Sequence, residues 1–389
     1  MENFDFWCGT RIIFGRGTEK QAGEAVSMYG KTALLHYGGG SIKKWGLYDR
    51  VIKSLNEAGV KTVELGGVRP NPTYELIYEG IKLCREHSVD LILAVGGGSV
   101  IDSAKGIAVG APYEGDVLDF TLKKAVAKEA LPVGAILTLP AAGSESSQYA
   151  VATHEVDGYP YKRDVVWENF HLIRPKFAIL NPELTCTLPP FQTACGICDI
   201  MAHVMERYFT SVKNVELTDR LSEAVLKTVI NNGRVVMKEP ENYDARAEIM
   251  WAGSVAHNDL LGTGRQPDFA SHMIEHEISG IYDIAHGAGL AIIFPAWMKH
   301  VYKNNLDRFV QFAVRVWNVD HNFYSPEQTA LEGIEKYEKF LKEIGLPTRL
   351  SEENIPADRF EEMAEKAMKP GSIKKMTAKD IVEIFKLAS

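Results

Sequence analysis

Leu91-Ile92-Leu93-Ala94-Val95-Gly96-Gly97-Gly98-Ser99-Val100-Ile101-Asp102-Ser103-Ala104-Lys105 decides the fold. Its first five residues are apolar with no alternation, the pattern of a strand covered on both faces of a parallel sheet. The glycines end that strand, and Val100 to Lys105 reads as a helix start with Ser99 as the candidate N-cap. Strand, tight turn and helix make up half of a βαβ unit.

The same rhythm extends to both sides. Strands are expected at 32–37, 60–65, 90–95, 134–139 and 177–180, with one helix running through Leu55 and another over 72–87. Beyond Asn181-Pro182 the texture changes to amphipathic segments at 190–210, 215–233, 241–262, 268–279, 288–303, 326–344 and 377–388. The reading is an α/β domain over 1–182 followed by an all-α domain over 183–389.

A chain of 389 residues with 46% hydrophobic and 24% charged residues has material for two cores. Its formal net charge of −8 lacks the basic footprint of a nucleic-acid binder. The start, Met1-Glu2-Asn3-Phe4-Asp5, does not resemble a signal peptide, and no apolar run reaches the roughly 20 residues of a membrane span. A cytoplasmic location is expected, with the five cysteines as reduced thiols.

Three small-residue turns follow strands: Gly38-Gly39-Gly40-Ser41, Gly96-Gly97-Gly98-Ser99 and Thr138-Leu139-Pro140-Ala141-Ala142-Gly143-Ser144-Glu145-Ser146-Ser147. Glycine lets the backbone approach a phosphate, and free amides at a helix start favour the anion. Converging at strand ends, the turns would line one crevice, and the second is the candidate for pyrophosphate.

Asp199 and His203 stack on one helical face, and His272 and His276 repeat that spacing, with His286 ten residues further on. A single histidine is more often a hydrogen-bonded core or surface residue, but three of the eleven fall between 272 and 286. A carboxylate beside imidazoles on an apolar face needs compensation, and a divalent ion supplies it. Cys195, Cys198, Asp199 and His203 form a rival set on one helix, ranked lower because one helix rarely encloses a tetrahedral ion. A redox Cys195/Cys198 pair is disfavoured inside a helix.

Arg11-Ile12-Ile13-Phe14-Gly15-Arg16-Gly17, Tyr37 to Lys44, Pro70-Asn71-Pro72, Gly96 to Ser99 with Asp102, Gly143-Ser144-Glu145 and His286-Gly287-Ala288-Gly289-Leu290-Ala291 carry a resemblance. Over essentially its whole length the chain resembles the iron-containing, or group III, alcohol dehydrogenases, in the butanol dehydrogenase and broad-specificity aldehyde reductase branch. The resemblance implies a dehydroquinate synthase-like fold, with a Rossmann-like N-terminal domain for a nicotinamide cofactor, a helical C-terminal domain and one divalent ion in the cleft. It implies Asp199, His203, His272 and His286 as metal ligands and His276 as proton relay. Gly97, Gly98, Ser99 and Asp102 fall on the pyrophosphate turn, Thr138 and Leu139 lie beside the cofactor, and Asn71 and Ser147 hold weaker positions. A family lysine corresponds to Lys162, with Arg163 as the alternative. A homodimer is implied as well.

Gly38 stands where relatives that prefer NAD carry an aspartate. With Gly39, Gly40, Ser41, Lys43 and Lys44 nearby, the turn suits a 2′-phosphate, so NADP(H) is expected over NAD(H). A ligand set of this type accepts Fe(II), Zn(II), Mn(II) or Ni(II), and the resemblance favours iron. Loss of Fe(II) to oxidation could damage Cys195 and Cys198 beside Asp199. The expected reaction is alcohol–aldehyde interconversion by hydride transfer, with butanal as a model substrate. The rival readings are an NAD- and metal-dependent sugar-phosphate cyclising lyase of the same fold, a glycerol or diol dehydrogenase, and a non-catalytic binding protein. Ala142, where many relatives have threonine, departs from the pattern, as does the stretch 154–170, read as a surface hairpin.

Overall fold

The computed structural model describes residues 1–389. The chain divides into two compact units, Cys8–Thr187 and Leu188–Ser389, and Met1–Trp7 belongs to the latter. By contacts, Met1–Trp7 joins the helical unit and residues 183–187 stay with the first. The Met1 ammonium donates to the Lys213 carbonyl (3.2 Å) and the Glu2 amide to that of Gly264 (2.9 Å), tying the N-terminus to the helical unit. At the other end Asn181 Nδ2 donates to Glu19 Oε2 (2.8 Å) and Arg16 pairs with Glu183, which keeps the stretch after Pro182 in the first unit.

In the first unit the elements are β1 (Arg11–Phe14), α1 (Ala22–Ser27), β2 (Thr32–Tyr37), α2 (Ser41–Lys44), α3 (Leu47–Glu57), β3 (Lys61–Leu65), α4 (Tyr74–His87), β4 (Leu91–Gly96), α5 (Gly98–Gly110), α6 (Leu118–Thr121), β5 (Val133–Leu137), β6 (Val151–Val156), β7 (Tyr159–Asp164) and β8 (Phe177–Leu180). Six strands form one parallel sheet in the order β1-β8-β5-β4-β2-β3. Leu91 to Val95 are wholly buried, as expected of a central strand covered on both faces. Strand β1 was not assigned from the sequence because it is a four-residue edge strand with both end residues exposed. The chain leaves β2 toward β3 on one side and β4 toward β5 on the other, so the sheet has a switch point between β2 and β4.

The second unit contains α7 (Pro190–Tyr208), α8 (Glu216–Lys238), α9 (Tyr243–His257), α10 (Ala270–Tyr282), α11 (His286–Val301), α12 (Leu306–Trp317), α13 (Pro326–Glu343), α14 (Phe360–Lys366) and α15 (Ala378–Leu387). Helix α11 runs through its centre and packs against α7, α10, α13 and α15. Its inner turns are entirely apolar, and below them Phe209 stacks on Phe309 with ring centroids 4.5 Å apart. Helix α9 ends at His257 and not at 262, since Asp259 adopts a left-handed backbone (φ 74). Helix α12 was missed: its valines and phenylalanines are modest helix formers, yet burial of Phe309, Phe312, Ala313 and Val316 on one face prevails. No helix is long and apolar enough to cross a membrane.

Candidate active site

Three helices of the second unit bring the metal-ligand candidates together. Helix α7 carries Asp199 and His203, α10 carries His272 and His276, and α11 begins at His286. The side-chain donor atoms of Asp199, His272 and His286 lie within 4.8 Å of one another. Asp199 Oδ1 is 3.7 Å from His272 Nε2 and 3.9 Å from His286 Nε2. Donors each about 2 Å from one ion fall within about 4 Å of each other, so these separations suit a shared ion.

Asp199 Oδ1 and His272 Nε2 are buried and make no well-formed hydrogen bond; His203 Nδ1 lies 2.9 Å from Oδ1 but donates to the Asp199 carbonyl. Buried polar atoms without partners are rare, and an ion satisfies both at once. At 3.7 Å the Asp199–His272 contact is an ion pair and too long for a hydrogen bond.

His203 lies alongside this trio and not within it. Its Nδ1 donates to the Asp199 carbonyl one turn earlier (2.9 Å), and its ring meets that of His272 edge-on at 4.5 Å. His276 forms a second close group with Glu275 and His286. His203, His272 and His276 are buried, whereas His286 is 22% exposed.

Two functional candidates escaped the sequence reading. Glu206 Oε1 accepts the His272 Nδ1–H (3.0 Å) and the His272 amide (3.1 Å), while Glu275 Oε2 lies in close contact with His286 Nδ1. Both carboxylates are buried. The available signal was spacing, since Glu206 lies three residues after His203 and Glu275 three after His272.

Glycines permit the close approach. A Cβ at Gly287 would overlap the Cys195 carbonyl oxygen, so glycine lets the start of α11 touch α7 and sets His286 opposite Asp199. A Cβ at Gly289 would sit 2.5 Å from Glu275 Oε1.

The charges reflect this crowding. Burial pushes the Asp199 carboxyl up, but His203, His272 and His286 outweigh it and hold the group well below the usual range. Burial lowers the His272 imidazole, yet the neighbouring carboxylates of Asp199 and Glu206 raise it to about 9. Burial keeps His203 below its ordinary value despite Asp199. A protonated His272 thus supplies, without metal, part of the positive charge that an ion would bring.

The rival cysteine set is not assembled. Cys198 Sγ lies 3.9 Å from the Tyr337 hydroxyl, and burial pushes its thiol well up. Burial, with Asp199 adding to it, pushes Cys195 to about 12. Both cysteines are free thiols, and neither joins a metal-binding group.

In the first unit the three small-residue turns follow β2, β4 and β5, which are adjacent and parallel. Helix α5 begins at Gly98 with an extended Gly97 as N-cap, so Ser99 lies inside the first turn and not at the cap. The Gly97 carbonyl accepts from the amides of Val100 and Ile101, so the amides of Gly98 and Ser99 precede the helix ladder and suit an anion. Thr138 and Leu139 leave β5 beside this turn, with the Thr138 amide on the Gly96 carbonyl (3.0 Å).

Asp102, expected on the cofactor, turns elsewhere. Its Oδ1 accepts from Ser144 Oγ (2.5 Å) and its Oδ2 from the Val151 amide (3.1 Å). Burial raises its carboxyl even with Lys105 nearby. Lys105 Nζ donates to the carbonyls of Ser144 (2.8 Å), Ser147 (3.0 Å) and Tyr149 (2.7 Å) and to Ser144 Oγ (2.8 Å). The pair braces the third turn from beneath, and Ser147 Oγ is held by the Tyr149 amide (3.0 Å).

Lys162 and Asn71, far apart in sequence, meet: Lys162 Nζ donates to Asn71 Oδ1 (3.1 Å). The β6–β7 hairpin makes this contact and, though near the surface, buries Lys162. Arg163 instead lies over the Tyr161 ring.

At the first turn, Gly39 and Gly40 border open space. Lys43 Nζ lies 5.0 Å from the Tyr37 ring, 4.6 Å from the Tyr48 ring and 3.9 Å from Glu64. Glu64 also accepts from the hydroxyls of Tyr37 (3.0 Å) and Tyr48 (2.6 Å). The sequence reading counted Lys43 and overlooked this carboxylate on the neighbouring strand.

Comparison with known proteins agrees with this geometry. The family model described as iron-containing alcohol dehydrogenase matches residues 9–182, and that of the Fe-containing alcohol dehydrogenase family, C-terminal, matches 193–389. The chain is 43% identical over 389 residues to a probable NADH-dependent butanol dehydrogenase 1 of Bacillus subtilis, covering 99% of each. It is 37% identical over 376 residues to the NADPH-dependent aldehyde reductase YqhD of Escherichia coli, covering 95% of this chain and 94% of the relative. Among solved structures, an NADH-dependent butanol dehydrogenase A from Thermotoga maritima superposes with a TM-score of 0.95 at 38% identity, covering 100% of this chain and 99% of that one. The chain belongs to the iron-containing alcohol dehydrogenase family, in its butanol dehydrogenase and aldehyde reductase branch.

Proposed function

We propose that the protein interconverts primary alcohols and aldehydes, with butanal as a model substrate, by hydride transfer to and from a nicotinamide cofactor. The observation that carries this reading is the close trio Asp199, His272 and His286, in which buried Asp199 Oδ1 and His272 Nε2 make no well-formed hydrogen bond. Asp199, His203, His272 and His286 would hold one divalent ion, with Fe(II) favoured by family and Zn(II), Mn(II) or Ni(II) compatible with the donors. When bound, that ion supplies Lewis-acid polarisation of the substrate oxygen.

The chain's own residues do the remainder. The Gly98 and Ser99 amides would bind the pyrophosphate, with Gly97, Thr138 and Leu139 beside it. Lys162 and Asn71, already bonded, would orient the cofactor as a unit. His276, next to His286, would hold and pass the proton exchanged with the alcohol oxygen. Gly38, Gly39 and Ser41 offer no carboxylate, which supports NADP(H). The Lys43–Glu64 pair and the names of the NADH-dependent relatives support NAD(H), while that of the NADPH-dependent YqhD supports NADP(H). Use of both dinucleotides is the reading that these observations carry together. A cytoplasmic homodimer belongs to the proposal on family likeness alone.

The test is oxidation of NADPH and of NADH with butanal, using protein stripped of metal and reloaded anaerobically with Fe(II) or Zn(II). Metal-dependent turnover that disappears in His272→Ala is expected. Turnover without metal, or none after reloading, would overturn the reading.

A further inference from the structure

At the metal site the Nδ1 atoms of His272 and His286 meet buried carboxylates, whereas that of His203 lies 2.9 Å from both the carbonyl and Oδ1 of Asp199. His203 Nδ1 donates to a carbonyl of its own helix, that of Asp199 (2.9 Å). His272 Nδ1 on α10 meets Glu206 on α7 (3.0 Å). His286 Nδ1 at the start of α11 meets Glu275 on α10. We infer that Glu206 and Glu275 are positioning residues that fix the tautomer and ring orientation of His272 and His286, a step that rests on the proposed metal site.

A carboxylate facing Nδ1 accepts its proton, so with an ion bound each ring would keep its proton on Nδ1 and offer the Nε2 lone pair. Those two Nε2 atoms are the ones 3.7 and 3.9 Å from Asp199 Oδ1. Glu206 Oε1 also takes the His272 backbone amide (3.1 Å), so a single oxygen fixes the ring relative to its own main chain. Glu275 has its space reserved, since any side chain at Gly289 would collide with Oε1.

The arrangement is unfavourable without a cation. Asp199 Oδ1, Glu206 Oε2 and Glu275 Oε1 are all buried and make no well-formed hydrogen bond, which places three carboxylates in one water-poor cluster. A core built only for packing has no use for such a cluster, whereas a divalent ion makes it favourable.

The experiment titrates metal-free wild type, Glu206→Gln, Glu275→Gln and His272→Ala with Co(II). Affinity is read by chelator competition, and the visible ligand-field spectrum and the melting temperature of each metal-free protein are recorded. Glutamine keeps the shape and removes the charge. Co(II) affinity is expected to fall about 10- to 100-fold in each glutamine variant, as for other outer-shell partners. The metal-free melting temperature separates lost affinity from a folding defect, because each glutamine also removes a charge that pairs with an imidazole. Affinity within about twofold of wild type, or a lower metal-free melting temperature with unchanged affinity, overturns the inference. Should Glu206→Gln fail to fold, Glu275→Gln decides by itself. Wild-type affinity in His272→Ala would instead overturn the metal-site reading.

Discussion

Asp199 Oδ1 and His272 Nε2 face each other at 3.7 Å, and neither makes a well-formed hydrogen bond. In the metal-free protein the positive charge of protonated His272 offsets the Asp199 carboxylate across that gap. The imidazole titrates at about 9 when folded, above its ordinary value, so it adds stability that is fully present below about 6.5 and is lost as the pH rises through about 9. The metal-free protein should therefore melt at progressively lower temperature across that window. Metal competes with the proton for the same Nε2, so saturating Zn(II) should remove the decline; at 100 times its Kd the ion adds about 2.7 kcal/mol. Thermal melts with and without EDTA from pH 6 to 9.5 measure this, and identical pH slopes would count against it.

Much of this was legible in the sequence. The uninterrupted apolar run of Leu91 to Val95, ended by glycines, read as a doubly covered strand, and the four-residue spacing of Asp199 and His203 placed them on one helical face. What was not legible came from contacts distant in sequence. Glu206 and Glu275 looked like ordinary helix glutamates until α7, α10 and α11 brought each against an imidazole. Asp102 sits in the motif but points beneath the third turn, because Lys105 and Ser144 form its surroundings. Glu64 approaches Lys43 only through the pairing of β2 and β3.

Lys105 shows what that hidden bracing does. It is wholly buried, its ammonium is caged by three carbonyls and a hydroxyl, and Asp102 lies beside it. Lys105→Met would leave those carbonyls without a donor and Asp102 without its cation. Loss of one partner of a buried charge pair costs about 3–5 kcal/mol. Urea unfolding of the two proteins should show that loss; a difference under about 1 kcal/mol would mean that water or Asp102 protonation compensates.

The Lys162–Asn71 bond makes a kinetic prediction. If the pair orients the cofactor, Asn71→Ala and Lys162→Met should each raise the KM for the dinucleotide about tenfold, equivalent to about 1.4 kcal/mol. The KM for butanal should hardly move. Because the two side chains act through one hydrogen bond, the double variant should lose little more than either single one. Fully additive losses would show that the residues act separately.

Glu64 should govern the choice between dinucleotides. Its charge lies 3.9 Å from Lys43 beside the turn expected to receive the adenosine ribose, and opposes a 2′-phosphate there. Glu64→Gln is therefore expected to raise the ratio of kcat/KM for NADPH over NADH. The side chain is 40% exposed, so solvent and salt limit the effect to about two- to fivefold. Steady-state kinetics at low and at 0.5 M salt are the check, with the shift shrinking at high salt. An unchanged ratio at both would remove Glu64 from the specificity argument.

Cys195 and Cys198 invite the expectation that oxidative loss of Fe(II) damages the adjacent thiols. The thiolate is the reactive form, and burial pushes Cys195 to about 12 and Cys198 well above its ordinary value. Almost none of either thiol is ionised at neutral pH, and Cys198 has no exposed surface. Aerobic inactivation should therefore proceed at the same rate in wild type and in Cys195→Ser and Cys198→Ser variants. Iodoacetamide at pH 8, read by intact mass, should leave both positions unmodified in the folded protein. Slower inactivation in either serine variant would mean that oxidised metal reaches sulfur by a route other than the free thiolate.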